Sequence, residues 1–354
     1  MNSQTRAAIA ALIVPALIVT GCAKKKTDAT SAPSTGAAAT KGQPDVNGDG
    51  KVVIGVMSPG DTHDNGYYES FVAEADSYAK QNGWEVRTVD KINPSDAVNQ
   101  ARNLCRQRVD LIAIGASELK DALSAAPEPA CKGINWYISA GVGVQQTPYF
   151  AQSKDFVNES LYAAGYAAGL ILKQNGGTKA GYITGPELDF SKQAAKAYAV
   201  GLKAVVPGAE VITTYTGDFD DSAKAKEAAR AQLGKGVKIL YPYLGGATDA
   251  VTALANAAKV PVLTPGTDRC TDPTAKYAIS VIFSPGAYFA ASLQDFKAGT
   301  LKMGEARAFH LGKDPVPTVK FCQPQGDQQQ QLDQVMKDMG SGKLNVDSVI
   351  SAAK

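Results

Sequence analysis

From residue 52 onward, short apolar, β-branched runs alternate with amphipathic helical stretches, twice over. This alternation constrains the fold more than any other feature of the chain. The first series predicts strands at 52–57, 84–89, 110–114 and 135–140, with helices at 67–81, 94–106 and 119–126. A helix at 156–174 opens the second series. Strands at 180–184, 210–216, 238–243, 260–263 and 278–283 follow, with helices at 192–205, 222–233, 248–258 and 288–298. Runs such as VVIGVM are apolar enough to lie inside a parallel sheet covered on both faces. Two βα series in roughly 300 residues predict an α/β chain of two doubly wound, Rossmann-like lobes. The loops after the strands of each lobe then face one another across a central cleft. In the helix at 156–174, Leu161, Ala164, Gly165, Ala168 and Leu172 form a small-residue face suited to close packing.

The N-terminal 50 residues do not belong to this pattern. Arg6 precedes an apolar run at 7–19, shorter than the roughly 20 residues that span a bilayer, in the layout of a signal peptide. Val19-Thr20-Gly21-Cys22 resembles a lipobox, so residues 1–22 are expected to be a lipoprotein signal that leaves Cys22 lipidated. A lasting anchor of this kind needs more than one acyl chain. The expected location is the extracytoplasmic face of a bacterial membrane. Residues 23–50, rich in Lys, Thr, Ser, Ala, Gly and Pro, read as a flexible tether of roughly 30 Å. Asp45, Asn47, Asp49 and Gly50 match half of an EF-hand loop, but Val56 occupies the twelfth position, so turn chemistry is expected there rather than calcium binding.

Charge and cysteine content narrow the function classes. A formal net charge of +2 argues against a nucleic-acid partner. With Cys22 set aside, Cys105, Cys131, Cys270 and Cys322 remain, an even number in a chain expected to be exported. Three pairings are possible. Proximity in sequence favours Cys105–Cys131, leaving Cys270–Cys322. A zinc site is disfavoured, because His63 and His310 lie near none of these cysteines in sequence. No catalytic elbow, Walker-type loop or His-Glu-x-x-His motif occurs, and Gln146 stands where a dinucleotide fingerprint beginning at Gly141 needs its third glycine. The expectation is a binding protein rather than an enzyme, without cofactor or metal.

Ligand-clamping chemistry does recur after the predicted strands. The first loop, Ser58 to Asn65, packs Pro59, Gly60, Asp61, His63, Asp64 and Asn65 together. Capping of the following helix is the competing role for its carboxylates. In Gly217-Asp218-Phe219-Asp220-Asp221, an aromatic ring flanked by carboxylates suits stacking on a flat ligand. Gly245 and Gly246 lead into a helix, where backbone can approach a ligand closely. Asp268 follows a further strand in Gly266-Thr267-Asp268.

Taken together, Asp61 to Asn65, Phe156 to Gly165, Gly217-Asp218-Phe219, Leu244-Gly245-Gly246 and Gly266-Thr267-Asp268 make the chain similar to the basic-membrane-protein (BMP) family. These are lipoprotein solute receptors of ABC importers, and they include purine-nucleoside receptors. The resemblance implies a type I periplasmic-binding-protein fold with three crossings between the lobes. It implies a first lobe of 51–155 plus about 270–308 and a second of 156–269 plus about 309–354. It also implies that Asp61 and Asp268 hold ribose hydroxyls, that Phe219 stacks on the base, and that Asn65, Gly245 and Gly246 bond base or sugar. Asp64 stands where the family usually has an aromatic, so Tyr67, Tyr68 or Phe283 is a candidate for the second ring. The implied partners are a nucleoside-like small molecule, ABC permease and ATPase subunits, and the membrane through the lipid anchor. The alternatives are a receptor for a sugar or other small polyol, and an exported nucleoside-processing hydrolase.

Overall fold

A computed structural model of the protein describes residues 43–140 and 143–353. Cys22, the signal segment and most of the tether therefore lie outside the described residues. Five parallel strands build most of the first sheet: β1 (Val53–Met57), β2 (Glu85–Val89), β3 (Leu111–Ile114), β4 (Asn135–Ser139) and β5 (Ala151–Asp155). A sixth parallel strand, β11 (Ala306–Phe309), closes one edge, giving the order β11-β5-β4-β3-β1-β2. The buried pattern of β1 and β3 follows from their uninterrupted apolar sequence, which needs cover on both faces. On one face α2 (Ala97–Arg106) brings Leu104 over Ile112 and Trp136. On the other, α1 (Tyr67–Asn82) and α7 (Pro285–Ala298) stack Phe71, Tyr137 and Phe289 at centroid distances of 4.6–6.3 Å.

The second lobe holds β6 (Lys179–Thr184), β7 (Glu210–Tyr215) and β8 (Leu240–Tyr243) in the order β7-β6-β8. A bridge from Leu240 to Val262 continues this sheet into β9 (Leu263–Gly266), β10 (Ile279–Ile282) and the antiparallel edge strand β12 (Thr318–Phe321). Helices α3 (Val157–Gln174) and α4 (Asp189–Val205) pack through glycines, as the small-residue face of the sequence predicts. A Cβ added at Gly165 would sit 2.0 Å from the Tyr198 carbonyl oxygen, and one at Gly201 would sit 2.0 Å from that of Tyr162. The lobe is completed by α5 (Ser222–Gly234), α6 (Thr248–Ala257), α8 (Gln328–Gly340) and α9 (Val346–Ala352). Among the described residues no helix is long and apolar enough to cross a membrane.

The chain passes between lobes three times: from β5 into α3, from β10 into α7, and from β11 into β12. The return to the first lobe falls after Ile282 rather than near 270, because β10 pairs with β9 along its length. The first and third crossings are tied together. Glu159 lies 3.0 Å from His310 Nδ1 and accepts the Leu311 N–H at 2.9 Å, while Phe156 stacks on His310.

Several local expectations are corrected. The segment 119–126 is a 3-10 helix, Ser117–Ala125, and the predicted helix at 94–106 starts as a 3-10 turn, Pro94–Asp96. The strand expected at 260–263 lies at Leu263–Gly266. Strand β5, AQSKD, carries too little apolar sequence to announce itself, and β11, β12, α8 and α9 lie beyond the predicted elements, although Leu332, Val335, Met336 and Met339 recur at helical spacing in α8. Residues 43–50, expected as tether, dock on the first lobe. The Asp110 carboxylate there accepts the N–H groups of Val46, Asn47 and Val53 at 3.0, 3.4 and 2.8 Å. The EF-hand-like residues form a turn in which Asp45 accepts the N–H groups of Gly48, Asp49 and Gly50. No cluster suited to a metal ion occurs among the described residues. Disulfides join Cys105 to Cys131 and Cys270 to Cys322, the pairing favoured by proximity.

Candidate ligand-binding cleft

A cavity of about 90 Å³ lies between the lobes at the carboxyl ends of the strands, where open α/β sheets hold ligands. The first lobe contributes Tyr67 and Tyr68 at the start of α1, Ser117 and Glu118 after β3, Ala140 after β4, and Asp155 at the end of β5. The second contributes Phe190, Phe219, Tyr243 and Gly245. Val157 and Phe283 stand at two of the crossings. The aromatics of the lining fall into two groups: Tyr67 lies 6.0 Å from Phe283, which lies 5.9 Å from Tyr243, and Phe219 stacks on Phe190 at 6.1 Å.

Two carboxylates line the same cavity. The Tyr68 hydroxyl donates to Glu118 at 3.2 Å, and the Ser117 hydroxyl to its other oxygen at 3.4 Å. Burial outweighs those bonds and raises the Glu118 pKa. Burial also raises that of Asp155, to about 6, opposed only by its own backbone amide. The phenols of Tyr67 and Tyr68 are held neutral by burial, reinforced by Asp155 and Glu118 at Tyr67 and by Glu118 and Asp220 at Tyr68.

The structure brings Phe219, Gly245, Tyr67, Tyr68 and Phe283 of the expected site to the cavity and leaves the other expected residues outside its lining. Asp61 instead pairs with Lys91 at 3.0 Å and accepts the His63 N–H; Lys91 is the main reason its pKa is lowered. Asp268 pairs with Lys320 at 2.5 Å and accepts the Cys270 N–H. These contacts outweigh its burial and lower its pKa. Neither carboxylate lines the cavity in this geometry. Asp64 is buried and accepts the N–H groups of Gly66, Tyr68 and Glu69, which makes it the cap of α1. Asn65 is exposed, in the left-handed region at φ 51°, and donates its N–H to Glu69 at 2.7 Å. The Gly245 and Gly246 N–H groups are consumed by the Phe219 carbonyl, at 3.1 Å, and by Asp220, at 2.6 Å. A Cβ at 245 would come within 2.6 Å of the Asp220 carboxylate oxygen, so a side chain there would displace Asp220, and it would reach 3.4 Å from the Tyr68 ring.

Sequence reasoning missed Glu118, Asp155, Phe190 and Tyr243. Tyr243 ends the run VKILYPY and Phe190 follows a predicted strand, so position alone marked both. Asp155 ends a strand of sequence AQSKD, which gives no strand signal.

A model of the Bmp family, "ABC transporter substrate-binding protein PnrA-like", matches residues 51–350. The chain belongs to this family. Among Bmp-like relatives, it is 35% identical over 147 residues to an ABC transporter nucleoside-binding protein, BmpA, of Lactococcus lactis, covering 42% of this chain and 40% of that protein. It is 24% identical over 209 residues to a CD4+ T-cell-stimulating antigen of Listeria monocytogenes, covering 58% and 57%. The matched stretches thus span about half the length of these relatives. The fold is that of the solute-binding proteins of ABC transporter systems from Conexibacter woesei and Aeropyrum pernix. The TM-scores are 0.63 and 0.67, the identities 24% and 18%, with 83% and 85% of this chain and 98% and 90% of theirs covered.

Proposed function

We propose that the protein is a lipid-anchored receptor of an ABC importer, which takes a nucleoside-like ligand between its lobes and delivers it to permease and ATPase subunits. The observation that carries this reading is the aromatic lining of the cleft, Tyr67, Phe219, Tyr243 and Phe283, set at strand ends in a Bmp-family chain. A flat base buries its faces against such rings, a gain of about 0.5–1.5 kcal/mol per aromatic pair beyond area burial. The name of the Lactococcus relative supports a nucleoside in particular. At about 90 Å³ the cavity is smaller than the roughly 300–1,000 Å³ of drug-sized ligand sites. Ligand admission therefore requires the lobes to part, and the ligand favours reclosure by binding the closed form more tightly. The lobes meet where the Thr267 hydroxyl donates to the Asn65 carbonyl at 3.5 Å and where Tyr68 lies against Gly245. The lipid anchor at Cys22 and an extracytoplasmic location are part of the proposal, on the strength of the lipobox-like sequence.

Thermal-shift screening of nucleosides, free bases, sugars and polyols tests the ligand class. Stabilisation by a nucleoside is expected; stabilisation by a sugar alone overturns the ligand reading.

A further inference from the structure

Three acidic groups around the cleft have a basic partner: Asp61 has Lys91, Asp268 has Lys320 and Glu159 has His310. Asp64 and Asp220 accept backbone N–H groups instead. Among the described residues Glu118 and Asp155, which line the cavity itself, form no ion pair, although Asp155 also borders a neighbouring cavity lined by Lys154, Lys313 and His310. The groups acting on Glu118 are its own backbone, Tyr68 and Ser117, and on Asp155 its own backbone alone; neither set includes a cation. A neutral diol can donate hydrogen bonds to such carboxylates but cannot cancel two charges as the lobes close and water leaves. Uncompensated charge in a drying site is costly, and a ligand cation removes that cost. The remaining lining suits the same partner, since the faces of Tyr67, Tyr243 and Phe219 attract positive charge held over them.

We infer that the ligand carries a positive charge on or beside its flat ring, so that the cleft selects cationic, for example N-alkylated, nucleosides over neutral ones of the same size. The inference rests on the reading of this cleft as a nucleoside site. The charged ring lies against these aromatic rings, and Glu118 and Asp155 accept its N–H groups. The titratable groups around the two carboxylates are Tyr67, Tyr68, Tyr137, Tyr243 and Tyr288, all held neutral by burial, with Asp220 near Tyr68 and with Lys154, Lys313 and His310 on the neighbouring cavity that Asp155 borders.

Calorimetric titration with 1-methyladenosine and N6-methyladenosine tests this. They are isomers, and only the first is cationic at neutral pH. The wild type is expected to prefer the cation by about tenfold or more near neutrality, the scale of one semi-buried charge pair. The preference should shrink in acid and be largely lost in Asp155→Asn and in Glu118→Gln. A far-UV spectrum and a cooperative thermal transition like those of the wild type show that a variant is folded, and either variant suffices if the other fails to fold. Equal affinity for the isomers in the wild type overturns the inference and leaves the nucleoside reading standing. A preference that survives both variants overturns the assignment to these carboxylates. Binding of tryptamine without any nucleoside overturns the nucleoside reading and keeps the charge selectivity. Binding of none of the three overturns both.

Discussion

Replacing Asp155 by asparagine is expected to stabilise the protein at neutral pH, an unusual direction for a polar substitution at a strand end. Asp155 is half-buried, and burial raises its pKa from 3.8 to about 6. A folded-state value above the unfolded one means that folding favours the protonated acid. The resulting stability is complete below about pH 3.8 and is lost as pH rises through about 6. At 1.36 kcal/mol per pKa unit the rise is worth about 3 kcal/mol, and partial exposure reduces this to about 1–2 kcal/mol. Asparagine keeps the shape of the neutral acid and never ionises. The Asp155→Asn variant should therefore match the wild type near pH 4 and exceed it by about 1–2 kcal/mol near pH 7.5, a gain of several degrees in Tm. Thermal unfolding of both proteins across this range, without ligand, measures the difference. A variant less stable at neutral pH, or a gain that does not change with pH, refutes the reasoning.

Other positions give further expectations. Gly165→Ala forces a methyl group onto the Tyr198 carbonyl and should cost about 1–3 kcal/mol or more in denaturant unfolding, because two backbones must move apart. Asp64→Ala removes the acceptor of three N–H groups at the start of α1 and should cost about 1–2 kcal/mol in the same assay. Phe219→Ala should weaken binding of a nucleoside about tenfold or more in calorimetry while leaving the far-UV spectrum unchanged. Non-reducing peptide mapping should recover Cys105–Cys131 and Cys270–Cys322, and opening the first by Cys105→Ser with Cys131→Ser should cost about 3 kcal/mol.

The sequence was most readable where burial dictates composition. VVIGVM and VKILYPY could only be inner strands, and the glycine and alanine face of α3 announced its close partner. It was least readable at the margins of the sheets. AQSKD and ARAF pair in the first sheet through backbone groups, with polar side chains between, so neither signals a strand. The site divides in the same way. Phe219, Tyr67 and Phe283 were recognisable because large rings beside loops need a surface to cover. Asp61 and Asp268 read as ligand-binding carboxylates from their loops alone, and nothing in the sequence marked Lys91 and Lys320 as their partners. Lys320 is distant in sequence and reaches Asp268 only through the pairing of β10 with β12. Asp155 went unseen for the converse reason, because its strand was invisible.

The central claim is that the aromatic cleft reversibly holds one nucleoside-like molecule. Isothermal titration with a nucleoside panel, followed by chromatography of the recovered ligand, tests it most directly. The account predicts one site per chain and a nucleoside returned intact. Binding of sugars but of no nucleoside, or recovery of a cleaved nucleoside, would contradict it.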